Sequence, residues 1–406
     1  MKSNDRSQTI RDASQTLLPW LSETRRTIHM NPELGYEEYE TSRLIVENLE
    51  SFGLDVHAGI AETGVVGLLE TGRPGPTIGI RADMDALSID ESNDVPYKSR
   101  QPGKMHACGH DAHVSMLLGA ARLLSENNNL LDGLGGNVKF IFQPAEEGKA
   151  GGKRMVEEGV LEEPRVDLLI AAHVWPDMPA GCIGTRSGPS LAAGDRLEIY
   201  VRGESSHAAY PHKSKDALLA ACHLVTALQS IVSRNVGPLE SAVLSITTFE
   251  SGVAFNIVPR DARIKGTIRT HDPKVRAKVA DRVRAVARGV AEAFDVEIDL
   301  EITPGYPVLV NHEAATALVE CAGGQVLGAQ SVEEMPISMG AEDFSYMAEK
   351  RPGAMFRVGI SNPEKGFVHG LHSDLFDLDE DAMPVGVSVF AQAVVEFLGN
   401  SEKYLA

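Results

Sequence analysis

Positive charge is what this chain has too little of. Its 406 residues carry 38 Lys and Arg against 57 Asp and Glu, a formal charge of −19. Phosphate backbones and anionic membranes would be repelled, which excludes nucleic-acid binding and basic membrane attachment as main roles. A disulfide framework is missing too. Cys108, Cys182, Cys222 and Cys321 are widely scattered. That fits a reducing cytoplasm, with one functional cysteine and three core cysteines expected. No secretory leader is expected: the first fifteen residues are polar, and the apolar run at 17–21 is short and broken by Pro19. Internal repeats and low-complexity tracts are absent. Hydrophobic residues make up 43 %, ample for sizeable cores, and the length fits two or three domains.

What the chain does have is a dense ligand cluster. His106-Ala107-Cys108-Gly109-His110-Asp111-Ala112-His113 puts three histidines, a cysteine and an aspartate into eight residues. A thiolate and imidazoles suit a zinc-like divalent ion better than magnesium or calcium, which prefer oxygen ligands. The helix expected to follow reads as amphipathic. The cluster is therefore expected at a helix start rather than inside a core.

The hydrophobic pattern organises the rest. Helical periodicity runs over 36–52 and stops at Gly53. Short apolar strands are expected at 65–69, 77–81, 137–142 and 167–172, with helices at 112–126 and 153–158 between them. This is the α/β alternation of a parallel or mixed sheet covered by helices. Near 186–194 the chain turns Gly-, Ser- and Ala-rich, in the manner of a linker. Strand 195–201, helix 216–233, strands 241–249 and 262–270, helix 273–294 and strand 296–301 then give β-α-β-β-α-β, the ferredoxin-like order. A helix at 313–327, a strand at 355–358 and a helix at 379–397 follow. The economical reading is a catalytic domain of residues 1–186 and 302–406, interrupted by an inserted domain at 187–301.

The polar residues fall at strand ends on this map. Asp83 and Asp85 follow one strand, Glu146 and Glu147 another. His173 follows the run 168–172. His369 and His372 lie on the loop after strand 355–358. In open α/β sheets, sites form outside the carboxyl ends of strands. Singly, each piece has a plain structural explanation: a solvated Glu-Glu turn, an aspartate capping a helix, a core histidine. Together with the cysteine–histidine cluster they converge on one edge. Metal ions there would acidify a water and polarise a carbonyl. A carboxylate that binds no metal could take the proton and pass it to a leaving amine. Spacing leaves open which of Glu146 and Glu147 does which.

The motifs together resemble a known family. His106 to His113, Gln143-Pro144-Ala145-Glu146-Glu147-Gly148, the His173 position, Ser205-Ser206-His207-Ala208-Ala209, Phe255-Asn256-Ile257-Val258-Pro259, Met339-Gly340-Ala341-Glu342-Asp343-Phe344 and Gly370-Leu371-His372-Ser373 resemble the aminoacylase/carboxypeptidase family of dinuclear metallohydrolases. Within it they are most similar to the hippurate hydrolase and auxin-conjugate amidohydrolase branch. The likeness runs from about His29 to the last helix. It implies a mixed-sheet metallopeptidase-like catalytic domain with an inserted ferredoxin-like domain for dimerisation. It implies two metal ions on Cys108, His110, Glu147, His173 and His372, with Glu146 as general base. Asp83 stands where relatives outside the branch carry a ligand histidine, so Asp83, with Asp85, is expected behind the ligands rather than among them. The resemblance further implies that His207 reaches the partner subunit's site to bind the substrate carbonyl, and that Asn256 and Arg269 contact substrate, Arg269 through a carboxylate.

The resulting expectation is a cytoplasmic, dimeric, metal-dependent amidohydrolase that splits N-acyl amino acids. Zinc is the first candidate metal, with manganese, cobalt and nickel as alternatives. The rivals on the same scaffold are a dipeptidase or carboxypeptidase and an N-acetyl-diaminopimelate deacetylase. A non-catalytic binding protein is the rival of another class; the full set of ligand-type residues and Glu146 argue against it.

Overall fold

The computed structural model describes residues 3–405; Met1, Lys2 and Ala406 lie outside the described residues. The chain forms two compact units. The first comprises Met1–Gly188, Val310–Pro336 and Tyr346–Ala406, the second Pro189–Leu309 and Ile337–Ser345. The second unit thus also takes in 302–309 and 337–345, which the sequence pattern grouped with the flanking chain.

The first unit is built on an eight-stranded mixed sheet. Its strands are β1 (Asp55–Ile60), β2 (Gly64–Glu70), β3 (Thr77–Asp83), β4 (Asn137–Gln143), β5 (Leu168–Pro179) and β6 (Ile183–Thr185), with the later strands Val332–Glu334 and Gly353–Ser361. The order is β1-β2-β4-β3-β5, then Gly353–Ser361, β6 and Val332–Glu334. β3 runs parallel to β4 and β5, and Gly353–Ser361 runs parallel to β5. Four strands therefore end at one edge. Alternation along them sorts the side chains. Ile78, Ile80, Val138, Phe140, Leu168, Ile170, Phe356 and Val358 enter one buried core with the helices His110–Glu126, Glu313–Leu327 and Met383–Gly399. The interleaved positions Arg81, Asp83, Gln143 and His173 are polar and buried.

Several expectations shift. Helix His110–Glu126 is not amphipathic in place: fourteen of its residues are buried, because the sheet lies on one side and outer helices on the other. The cysteine–histidine cluster therefore sits at a helix start and inside a core. β5 does not stop at Ala172. Its pairing with Gly353–Ser361 carries on from His173 to Pro179. The glycine-rich segment expected as a linker contains the strand Gly188–Leu191. Of the three cysteines expected in cores, Cys222 is exposed and Cys182 and Cys321 are half-buried; Cys222 lies on the open side of its helix.

The second unit has the order β-α-β-β-α-β, with helices Ala217–Asn235 and Pro273–Phe294 on a four-stranded antiparallel sheet. Counted along the chain, its strands lie 2-3-1-4, the ferredoxin-like arrangement. Helix starts are written locally: Asp216 accepts the Leu219 N–H and Asp272 that of Lys274, with Pro273 next. The strand Ala242–Ser251 forms one sheet edge.

A buried ionic knot ties the first unit together. Arg25 is fully enclosed and contacts Asp111 at 2.9 Å, Asp377 at 2.8 Å and Glu380 at 3.3 Å. His29 bridges Asp111 and Glu91. Burial opposes the charge on Asp111, but Arg25 and the His29 hydrogen bond outweigh it and hold the carboxyl well below its usual range. The knot joins helix Leu18–Met30 to the first turn of helix His110–Glu126 and to the chain after His372. Removing one partner leaves buried charge uncompensated. Arg25→Met should lower stability by about 3–5 kcal/mol, measured by denaturant unfolding. A loss below about 1 kcal/mol would show that the knot does not hold these elements.

Candidate metal centre

The site is assembled from turns that the sequence forces into place. Gly109, before the helix, has φ 85°, and a Cβ there would meet Val174 Cγ2 at 2.4 Å. The Pro144–Ala150 turn bends sharply, with Ala145 at φ 55° and Gly148 at φ 77°. Glu38 stabilises that turn. Its carboxyl accepts the Ala145 N–H at 2.8 Å and the Thr63 hydroxyl at 2.6 Å, and burial raises its pKa to about 7. His372 has φ 63°, a strained value outside glycine. Its N–H donates to Ala107 O at 2.7 Å, docking the loop beside Cys108.

These turns bring the ligand-type atoms together. Single ligand atoms of Cys108, His110 and His173 lie within 4.8 Å of one another, as do those of Cys108, Glu147 and His372 and those of His110, Glu146 and Glu147. The imidazoles are oriented. His110 Nδ1–H donates to Asp85 O at 2.9 Å and His173 Nδ1–H to Val174 O at 2.7 Å. Each ring therefore turns Nε2 inward. His173 Nε2 lies 3.5 Å from Cys108 Sγ. His110 Nε2 is buried without a hydrogen bond, 3.6 Å from Asp83 Oδ2. A pinned Nδ1 with an open Nε2 is how proteins present histidine to a metal. The donor set of thiol, imidazoles and carboxylates thus fits one or more divalent ions.

Asp85 and Asp83 stand behind this set. The Asp85 carboxylate accepts the N–H groups of Glu146 and Glu147, both at 2.9 Å. Asp83 accepts from Arg81 at 2.8 Å and from His113 Nδ1 at 2.5 Å. Burial penalises the Asp83 charge; His110, Arg81 and His113 overcome it and keep the pKa well below the usual value. His113 Nε2 accepts the Val174 N–H at 2.8 Å. Both its nitrogens are engaged, so it braces β3 against β5. Arg25, His29, Glu38, Arg81 and His113 were not legible as site supports, although His113 lies in a quoted motif.

In the second unit, His207 is exposed on a two-residue strand that pairs with Ile257–Val258. Its Nδ1 accepts the Ala209 N–H at 3.0 Å, leaving Nε2–H as a free donor in the neutral ring. Asn256 is its neighbour: Asn256 O accepts from Ala208 N at 3.0 Å. Arg269 is elsewhere, near the end of strand Asp261–Thr270. From Asp261, beside the Asn256 loop, to Arg269 is eight residues, about 26 Å along a strand. The structure thus brings His207 and Asn256 together and keeps Arg269 apart from them.

Known proteins agree with this architecture. Residues 79–396 match the model of Peptidase family M20/M25/M40. Thermostable carboxypeptidase 2 of Saccharolobus solfataricus is 39% identical over 384 residues, 93% of this chain and 95% of that one. IAA-amino acid hydrolase ILR1-like 4 of Arabidopsis thaliana is 40% identical over 383 residues, 93% and 86% of the two chains. A Bacillus subtilis dinuclear metal-binding peptidase of the M20 family superposes with a TM-score of 0.80 at 32% identity, covering 95% of this chain and 99% of its own. The chain belongs to Peptidase family M20/M25/M40. It is a hydrolase of amide bonds that depends on metal.

Protonation in the metal-free protein generates a test. Hydrogen bonds that the imidazolium donates to Cys108 and Glu147 raise the His372 pKa to about 10. Burial raises the Cys108 thiol. Burial works against a charged His110, but Asp83 and Cys108 outweigh it and raise its pKa well above the ordinary value. All three groups hold protons at pH 7, and ligation requires their removal. Metal uptake should therefore release protons, and affinity should climb as pH rises toward 10. Calorimetry in buffers of different ionisation enthalpy reads the proton count. Uptake without proton release would show that these groups do not bind the ion.

Proposed function

We propose that this chain hydrolyses N-acyl amino acids to a carboxylic acid and a free amino acid. Two divalent ions would sit on Cys108, His110, Glu147, His173 and His372. The observation that carries the reading is the inward Nε2 of His110 and His173, with Cys108 and Glu147 around them and Glu146 alongside. The thiol and three imidazoles favour zinc, with manganese, cobalt or nickel able to occupy the same set. Ions bound there would acidify a water and polarise the scissile carbonyl. Glu146 takes the proton of the attacking water and returns it to the amide nitrogen as the C–N bond breaks. Asp85 keeps Glu146 and Glu147 in place through their backbone N–H groups. His207 Nε2–H stabilises the developing oxyanion, and Arg269 pairs with the substrate carboxylate.

The separation of His207 from Arg269 supports a shared site. A small substrate cannot span about 26 Å of strand, so the two residues serve different sites of a dimer. The second unit supplies a surface for that dimer. Phe255 is fully exposed, Val253 94 % and Leu219 48 %. Helix Ala217–Asn235 is apolar yet only a third buried, and the edge strand Ala242–Ser251 lies free beside it. The second unit is thus read as the dimerisation domain and the first as the catalytic one. Four free cysteines fit a reducing cytoplasm.

Glu146→Gln should keep its metal content by mass spectrometry while turnover falls by roughly 10²-fold or more. Loss of metal instead would exchange the roles of Glu146 and Glu147. Mixed Glu146→Gln and His207→Ala chains should regain activity, because a heterodimer carries one intact site. If labelled chains demonstrably exchange and no activity returns, His207 does not act in trans. Rates on N-acyl amino acids, dipeptides and N-acetyl-diaminopimelate separate the proposed substrate class from its rivals on the scaffold.

A further inference from the structure

One cationic cluster beside the metal centre has no part in that mechanism. Arg357 lies opposite His173 in the parallel register of Gly353–Ser361 with β5, so the two side chains leave the same face of the sheet. The Arg357 guanidinium sits 3.9 Å over the Trp175 ring. That ring lies 6.0 Å from the His173 imidazole. One indole therefore touches both the guanidinium and a candidate metal ligand.

The arginine is poorly compensated. The residue is 6 % exposed, and Nη2 is closed off from solvent without a hydrogen-bond partner. No carboxylate pairs with it among the described residues; the exposed Asp177 acts only through space. A second guanidinium, Arg186, is near enough to repel its charge. Arg186 Nη1 donates to Met335 O at 2.8 Å, while its Nε is shielded and unpartnered. Burial, then repulsion from Arg186, lowers the Arg357 pKa to about 10. An arginine kept for structure would cap carbonyls or pair with an acid. This one is held flat by an aromatic ring with N–H groups unspent, and that geometry suits bidentate binding of a carboxylate.

We propose that Arg357 and Arg186 form a carboxylate subsite one aromatic ring away from His173. It would select substrates with a second carboxylate beyond the one assigned to Arg269. The inference rests on the N-acyl amino-acid reading and refines its substrate class. The second carboxylate could come from an acidic amino-acid side chain or from a dicarboxylic acyl group; the chemistry recognised is the same.

Trp175 reports on the subsite. The chain has two tryptophans, and the other, Trp20, packs against Phe52 and Arg122. A Trp20→Phe holoenzyme leaves Trp175 as the sole indole. Glutarate should change its emission saturably, at concentrations roughly tenfold or more below those needed for the neutral pentanamide. Arg357→Met or Arg186→Met, each checked for native unfolding behaviour, should abolish that difference. Equal responses to glutarate and pentanamide, or a glutarate response that survives both substitutions, overturn the proposal. Turnover then identifies the source. kcat/KM for N-acetylglutamate over N-acetylglutamine, or for N-succinylalanine over N-acetylalanine, should exceed tenfold, mostly through KM, and fall toward one in Arg357→Met. Rapid hydrolysis of all four without preference sinks the subsite and leaves the amidohydrolase reading standing. Hydrolysis of none sinks that reading, while the glutarate titration still decides whether the subsite exists.

Discussion

The centre hangs on one aspartate. Asp85 uses its two carboxylate oxygens for the N–H groups of Glu146 and Glu147 and its main-chain oxygen for His110 Nδ1. Three ligand-type residues from two distant segments are thereby oriented by one residue just beyond β3. The hydrogen bonds from backbone N–H to a charged acceptor are the stronger kind, and they are made where water does not compete. Without them the Pro144–Ala150 turn, already strained at Ala145, would have no reason to present both glutamates at once. Glu38 completes the turn from the other side, accepting the Ala145 N–H.

Around this pivot the protein concentrates charge where burial makes it costly. Asp83, His110, His113 and Arg81 share one buried neighbourhood, and Arg25 with its three carboxylates forms another. Such networks contribute little net stability against a well-packed apolar alternative. Their value is geometric. His110 and His173 each have Nδ1 fixed by a backbone oxygen, so the remaining nitrogen of each has a single direction. The same economy explains why His113, in the middle of the richest motif, faces away from the ligand role: Asp83 and the Val174 N–H occupy both its nitrogens.

Local chemistry wrote much of this plainly. The cluster at His106–His113, the Glu146–Glu147 pair and His173 announced themselves by residue type and by position after apolar runs. Helices Pro273–Phe294 and Glu313–Leu327 followed from the hydrophobic pattern. What stayed hidden depends on long-range register. β1 is mostly exposed, so it carries no apolar alternation to read. β5 outruns its hydrophobic stretch because a parallel partner 184 residues later continues the ladder. The same register creates the Arg357–Trp175 stack, which no window of sequence contains. Arg25 and Glu38 look like ordinary surface charges on helix-forming segments until the fold encloses them.

Anomalous diffraction from crystals of the metal-loaded protein tests the central claim most directly. The account predicts two peaks per chain, about 3.5–4 Å apart, within bonding distance of Cys108, His110, Glu147, His173 and His372, with Glu146 close but outside the coordination sphere. His110 Nδ1 should remain on Asp85 O. A single peak, or peaks bound by Asp83 and His113 in place of these residues, would contradict it.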